Sequence, residues 1–314
     1  MSGEYDRETS WSEPQFIERD MCPVCAAAPN RTLYRCRFAD PPVRDYLLSF
    51  YPGFNDSDVA RLGVDELVIE NCGKCKTVWQ RFAPAGELLM TLYGSWAAAG
   101  GALERHDDAA YHRNAAEEVL LVLGLAARPP SQVHVLDFGM GWGRWPRLAA
   151  AFGMNAYGIE LSKEQSDFAA AQGVNVMSQA DLPDATFHFI NCEQVFEHLV
   201  EPRETLQRLA RSLVPRGWIK IAVPDGRGIA DRLSDPDWSS RALNPVAPLE
   251  HLNAFDSDSL TELGRQAGLR PDRPPLEAFY SSTIGMWPPR RFVRGLARPV
   301  VRRFASGATF LRAA

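Results

Sequence analysis

Residues 132–162, QVHVLDFGMGWGRWPRLAAAFGMNAYGIELS, decide the fold of this 314-residue chain. The run from Val133 to Leu136 is short, apolar and β-branched, bounded by an acid and a glycine turn, and reads as a buried parallel strand. After Asp137-Phe138-Gly139-Met140-Gly141-Trp142-Gly143 comes a helical stretch with Leu148, Ala149 and Phe152 on one face. A second strand, Ala156 to Ile159, ends on Glu160. Glycines in such a turn allow positive φ and let a ligand approach the backbone with no Cβ in between. An acid at the end of the second strand, about 20 residues after the glycines, can accept hydrogen bonds from both ribose hydroxyls.

The details of the turn choose among ligands. A dinucleotide site requires G-x-G-x-x-G, with helix amides facing a pyrophosphate. Here the spacing is G-x-G-x-G, Arg144 takes the last place of that pattern, and Pro146 removes an amide from the first helical turn. Asp137 suits a cation such as an ammonium. On these residues the chain resembles class I S-adenosylmethionine-dependent methyltransferases: VLDFGMGWG is similar to their first motif and YGIELS to their second. The resemblance implies an α/β fold, a Rossmann-like seven-stranded methyltransferase sheet with a small N-terminal zinc-binding module. It also implies S-adenosylmethionine as cofactor, at Asp137, Gly139, Gly141, Gly143 and Glu160. A nicotinamide dehydrogenase is the rival, and Arg144 and the acid before the glycines count against it.

Composition sets outer limits. Hydrophobic content of 46% with 23% charged residues is ordinary for a soluble globular protein. No apolar run reaches membrane-spanning length and the N-terminus is polar and acidic, so a cytoplasmic protein is expected. A net charge of −5 argues against a general nucleic-acid binder. Four of the six cysteines form two C-x-x-C pairs, which suggests metal binding in a reducing compartment rather than a disulfide framework.

Those pairs are Cys22/Cys25 and Cys72/Cys75. Each tight turn lets two thiolates reach one tetrahedral metal, with Gly73 expected to supply unusual dihedrals, and together they make a four-thiolate structural zinc site. The 46 residues between the knuckles must fold back, while Cys36 is a spare thiol expected to pack rather than ligate. Residues 1–92 hold 10 Lys/Arg against 14 Asp/Glu and no basic stripe, so attraction to phosphate is absent there. Similar knuckle modules precede the core in sugar C-methyltransferases and related polysaccharide and small-molecule methyltransferases. In that resemblance Tyr93 lies over the cofactor; an anchor between domains is the other reading.

The later chain continues the alternation of helix and strand. Helices are expected over 109–125, from the cap Ser162, over 202–213 and over 257–267; strands over 174–177, 187–192 and 217–224. By resemblance, Asp181 and Leu182 lie in the adenine-contacting loop, although Gln179 or a backbone group could serve the adenine instead. Glu193 then faces the methionine part of the cofactor and His198 the substrate side. The stretch 225–248 reads as a loop insertion, and 276–283 as a late antiparallel strand. Glu250-His251 matches an element of the sugar C-methyltransferases in which the histidine serves in proton removal, but Pro248 stands where they carry tyrosine. His251, Glu250 and His198 are therefore the catalytic candidates, with loop anchoring as the alternative for either histidine. From Arg290 to Ala314 there are seven arginines and no acid, which suits a helix docked on an acidic domain or a peripheral membrane or polyanion contact.

The expected organisation is an arm and zinc module over 1–92, a class I methyltransferase domain over 93–284 and a basic tail over 285–314. The expected function is methyl transfer to a small molecule or a sugar or glycan acceptor. The rivals are a non-catalytic zinc- and cofactor-binding module and a methyltransferase acting on RNA.

Overall fold

The structure, a computed structural model, describes residues 14–96, 109–238, 241–280 and 308–312. The strands in chain order are β1 (Phe16–Glu18), β2 (Arg31–Arg37), β3 (Glu66–Asn71), β4 (Val78–Gln80), β5 (Phe82–Pro84), β6 (His134–Phe138), β7 (Asn155–Ile159), β8 (Asn175–Val176), β9 (Phe187–Glu193), β10 (Leu213–Ala222), β11 (Asn253–Ala254), β12 (Arg270–Pro271) and β13 (Ala308–Arg312). Among the helices, α1 (Val43–Phe50), α2 (Asp56–Leu62) and α3 (Gly86–Thr91) fall between the early strands or directly after them. They are followed by α4 (Ala109–Ala126), α5 (Arg144–Ala151), α6 (Lys163–Ala171), α7 (Pro202–Ser212), α8 (Ile229–Arg232), α9 (Ser257–Gln266) and α10 (Leu276–Tyr280).

The chain divides into two compact units, each with its own core. One takes the described residues of Met1–Glu104 together with Glu197–Val200 and Pro224–Ser259; the other takes those of Arg105–Phe196, Glu201–Val223 and Leu260–Ala314. The first therefore draws two short segments from far along the chain.

The second unit is a seven-stranded sheet in the order β12-β13-β10-β9-β6-β7-β8. Strands β10, β9, β6, β7 and β8 run parallel, while β13 is antiparallel to both of its neighbours. The central strands are buried on both faces, as their unbroken apolar runs require. Because the chain moves outward from β6 to β7 and then returns to β9 on the other side, the crevice beyond the carboxyl ends of β6 and β9 is a topological switch point. That is where open α/β sheets bind ligands. The seven-stranded methyltransferase sheet expected from the motifs is present, but its closing strand is not 276–283. Leu276–Tyr280 is helical, and the antiparallel strand is Ala308–Arg312, inside the stretch read as a basic tail. Arg312 there pairs with Asp272 at 3.6 Å and lies over the Trp218 ring. The other six arginines of the tail lie outside the described residues.

The first unit is built on the antiparallel sheet β11-β4-β3-β2, with β1 paired to β5 beside it. Its core joins Phe38, Tyr51, Phe54 and Trp96 to Ile229, Leu233, Trp238, Leu243 and Val246. The stretch 225–248 is thus not a solvated insertion. Its apolar residues recur at irregular spacing among Asp, Ser and Arg, but they converge on one core.

Candidate functional site

The glycine turn at the end of β6 takes the conformation that its composition allows. Gly139 has φ +79°, and a Cβ there would lie 2.4 Å from Val195, so no larger residue fits. Gly143, at φ +70°, is the N-cap of α5, and a Cβ there would meet Ala169 at 2.7 Å. Between them the Gly141 amide donates to Glu160 Oε2 at 2.9 Å, and the Ser162 amide donates to Oε1 at 2.9 Å. Each carboxylate oxygen keeps a free lone pair. Ser162 then caps α6 by accepting the Gln165 amide. Asp137 is buried at the tip of β6 and accepts from Asn191 Nδ2 at 2.8 Å. Burial pushes its carboxyl up to about 7, against the downward pull of the Asn191 bond. Among the described residues, neither the Asn191 Oδ1 nor the Trp142 indole N–H has a partner. A glycine cradle, an oriented carboxylate and unmet buried polar atoms fit an adenosyl ligand with a cationic tail.

The other cofactor candidates lie along the same sheet. Asp181 is exposed and accepts from Ser178 Oγ at 2.6 Å, whereas Leu182 beside it is buried. Glu193, about half exposed at the end of β9, pairs with Lys220 at 3.0 Å. Lys220 is buried and also holds Glu118 at 2.8 Å. Burial opposes its charge, but the two carboxylates outweigh burial and raise its pKa. Sequence reasoning missed Lys220 and Asn191, the polar partners of Glu193 and Asp137; lysine and asparagine inside an otherwise apolar strand were the available signals.

In the first unit the two knuckles come together. Cys22 and Cys75 sulfurs are 3.5 Å apart, as are those of Cys25 and Cys72, and all four lie within 4.8 Å of one another. Tetrahedral thiolates about 2.3 Å from a zinc ion are separated by about 3.8 Å, so the set fits that ion. The turns are alike: Ala26 donates to the Cys22 carbonyl and Lys76 to the Cys72 carbonyl, each at 2.9 Å. The left-handed residues are Ala26 and Lys76, just after each second cysteine, and not Gly73. At Gly73 a Cβ would meet the Asn30 side chain at 3.2 Å, a tight contact that Asn30 would have to relieve by a few tenths of an ångström. Cys36 stays outside the cluster and packs against the core.

The same unit gathers the catalytic candidates. The His198 and His251 rings meet edge to face with centroids 4.8 Å apart. His198 Nδ1 lies 3.0 Å from the Glu250 carbonyl and 3.4 Å from the Tyr93 hydroxyl, and His251 Nδ1 bonds the Asn244 carbonyl. A carbonyl oxygen only accepts, so Nδ1 carries the proton on both rings and Nε2 presents a lone pair. Burial lowers both pKa values, that of His198 to about 4, so both imidazoles are neutral at physiological pH. Glu197 is fully buried, its carboxyl is pushed up to about 8 by burial against the pull of its own backbone amide, and neither oxygen has another hydrogen-bond partner among the described residues. Glu250 is likewise raised by burial.

A buried polar frame fixes these loops. The Arg19 guanidinium donates to the carbonyls of Gln80 (2.6 Å), Leu252 (2.7 Å) and Val200 (3.3 Å) and to Asn253 Oδ1 (2.8 Å). Gln80 Nε2 donates to the Ala247 and His251 carbonyls, and Asn253 Nδ2 to the Leu199 carbonyl. Leu249, just before Glu250-His251, is held at φ +70°, a conformation that costs a leucine about 1–3 kcal/mol and persists only where the surroundings impose it. Arg19 and Gln80 gave no sequence signal, because their partners are backbone carbonyls far along the chain. Glu197 did carry one: Glu-His occurs twice, at 197–198 and 250–251.

No curated protein matches the chain by sequence. Among solved structures, the chain is similar to the 1,6-didemethyltoxoflavin-N1-methyltransferase of Burkholderia thailandensis, solved with 1,6-didemethyltoxoflavin and S-adenosylhomocysteine. The two are 18% identical, with 79% of this chain and 96% of that one covered and a TM-score of 0.46. An S-adenosylmethionine-dependent methyltransferase of Mesorhizobium loti is 14% identical over 64% of this chain and 99% of its own, with a TM-score of 0.42. Residues 108–273, more than half of the chain, match the family model of a methyltransferase domain. The chain belongs to that family and is an S-adenosylmethionine-dependent methyltransferase.

Proposed function

We propose that the acceptor is a polar small molecule, or a sugar or glycan, bearing a proton that must leave as the methyl group arrives. The observation that supports this most is the pair of buried, neutral imidazoles, His198 and His251, each with Nδ1 committed to a backbone carbonyl and Nε2 open. Both rings are neutral at physiological pH, so each offers a lone pair to a departing proton, and His198, lowered to about 4, is a weak base. An acidic balance over residues 1–92 and the resemblance to sugar-methylating enzymes favour a small acceptor over RNA.

When bound, S-adenosylmethionine supplies an electrophilic methyl group on a sulfonium. The chain's own residues position and deprotonate. Glu160 would take the ribose hydroxyls and Asp137 the ammonium of the methionine part, and Gly139, Gly141 and Gly143 would leave the backbone open to the ligand. Asp181 and Leu182 would flank the adenine, and Glu193 would take the methionine end. His251 would accept the acceptor's proton, leaving a methylated acceptor and S-adenosylhomocysteine, while His198, held by the Glu250 carbonyl, packs edge to face on its ring. Holding the reactants in line is the larger part of the work, with a positioned base adding roughly 100-fold or more. The four cysteines would hold a structural zinc ion.

Metabolite profiling of a strain lacking the gene, followed by turnover assays on the metabolites that lose a methyl group, tests the acceptor class. His251→Asn should then lower turnover by roughly 100-fold with cofactor affinity nearly unchanged. Equal turnover in that variant removes His251 from the mechanism. A purified protein that binds the cofactor but never consumes it would favour a non-catalytic binding module.

A further inference from the structure

The Glu197–His198–His251 cluster has a property that proton transfer alone leaves unexplained. A carboxylate oxygen of Glu197 and a ring nitrogen of each histidine lie within 4.8 Å of one another, with Glu197 Oε1 3.9 Å from His198 Nε2. With both Nδ1 protons given to carbonyls, each ring keeps Nε2 as its acceptor, and beside them lies the Glu197 carboxyl, whose oxygens have no hydrogen-bond partner among the described residues beyond its own backbone amide. Glu197 Oε1, at 3.9 Å, is too far from His198 Nε2 for a hydrogen bond, so even a protonated carboxyl leaves that lone pair unmet. The Glu197 side chain is only 1% exposed, so solvent does not supply a donor freely.

We propose that Glu197, His198 and His251 form a divalent-cation site, separate from the four-cysteine site, that takes a first-row transition ion such as Zn²⁺, Mn²⁺ or Fe²⁺. Two imidazoles and one carboxylate make a ligand set for these ions that leaves coordination positions open. Ligand atoms about 2.0–2.1 Å from a tetrahedral ion lie about 3.4 Å apart, so the Glu197–His198 pair at 3.9 Å needs to close only slightly. The orienting partners that metal-bound histidines need are already in place, namely the carbonyls of Glu250 and Asn244 on Nδ1. Arg19, Gln80 and Asn253 fix the loops behind them. The inference rests on the proposed methyl transfer only for its use: a hydroxyl bound at an open position would have its pKa lowered by the ion. Proton removal would then remain the task of this cluster, carried out through the cation.

The test uses full-length protein whose zinc content has been set to one per chain, titrated with Mn²⁺ and followed by the loss of the free-ion signal in electron paramagnetic resonance. One further Mn²⁺ should bind per chain, and Glu197→Gln and His251→Asn should each weaken binding on the order of 100-fold while zinc content is retained. Co²⁺ in place of Mn²⁺ should give a spectrum without thiolate charge-transfer bands. Failure of the wild-type protein to bind either ion beyond its zinc overturns the inference, as does equal binding by both variants. Full turnover by wild-type protein with no cation bound beyond its zinc, lost in His251→Asn, overturns it too and leaves the imidazole as the base, so the two readings fail separately.

Discussion

Replacing Glu160 with alanine should weaken S-adenosylmethionine binding by roughly one to two orders of magnitude without unfolding the sheet. Its two oxygens each accept one backbone amide, from Gly141 and Ser162, at 2.9 Å. A carboxylate has about four acceptor positions, so about two remain for the ribose hydroxyls. A hydrogen bond to a charged group contributes about 1.5–3 kcal/mol, and about 1.4 kcal/mol is tenfold in affinity. One ribose bond thus gives roughly 10- to 150-fold, and the second adds less because both go with the same group. Alanine also releases the two amides, but Glu160 is only half-buried, so water can replace its oxygens and the stability loss stays near about 1 kcal/mol. Glu160→Gln keeps one acceptor oxygen and should fall in between. Calorimetric titration gives the affinity and thermal unfolding the control. Unchanged affinity in the alanine variant would refute the assignment of this acid to the ribose.

Purified protein should contain one zinc per chain, and its removal should expose the amides of the knuckle unit to hydrogen exchange while the seven-stranded sheet stays protected, because the two have separate cores; metal-free protein with an unchanged exchange pattern contradicts this. In the cofactor-free protein, Asp137 holds its proton up to about 7 in the folded state against 3.8 ordinarily. That stabilisation is complete below about pH 4 and is lost as the pH rises to about 7, spanning at most about 4 kcal/mol. Asp137→Asn should flatten that part of the profile in urea unfolding, and an unchanged slope would mean that the folded carboxyl is already ionised. Glu197 offers a parallel check: Glu197→Gln should be at least as stable as wild type above about pH 8, where the carboxyl would otherwise be buried and ionised without a partner.

The readable part of the chain was the part in which sequence neighbours are also structural neighbours. From Val133 to Ala222 each strand and helix follows the last, so the period of apolar residues and the caps identified nearly every element. The glycine turn and Glu160 were legible for the same reason, being 19 residues apart and joined by one hydrogen bond. The first unit was opaque because segments from residues 14–96, 197–200 and 224–259 share it. No local period marks Ile229, Leu233, Trp238, Leu243 and Val246 as core, since short helical turns present them to one side. Residues 276–280 carry aromatic side chains that suit a strand but fold as a helix, while Ala308–Arg312 pairs along β10 amid a stretch whose arginines dominated its reading. The Glu197–His198–His251 cluster spans more than fifty residues and is assembled by Arg19 and Gln80, which speak to backbone carbonyls and so carry no side-chain pattern.

Calorimetric titration of the purified protein with S-adenosylmethionine and, separately, with a nicotinamide dinucleotide bears most directly on the reading of residues 132–162. The expected result is a single site per chain for the adenosyl compound, competed by S-adenosylhomocysteine, and no measurable heat with the dinucleotide. Tight dinucleotide binding with none for the adenosyl compound would contradict it.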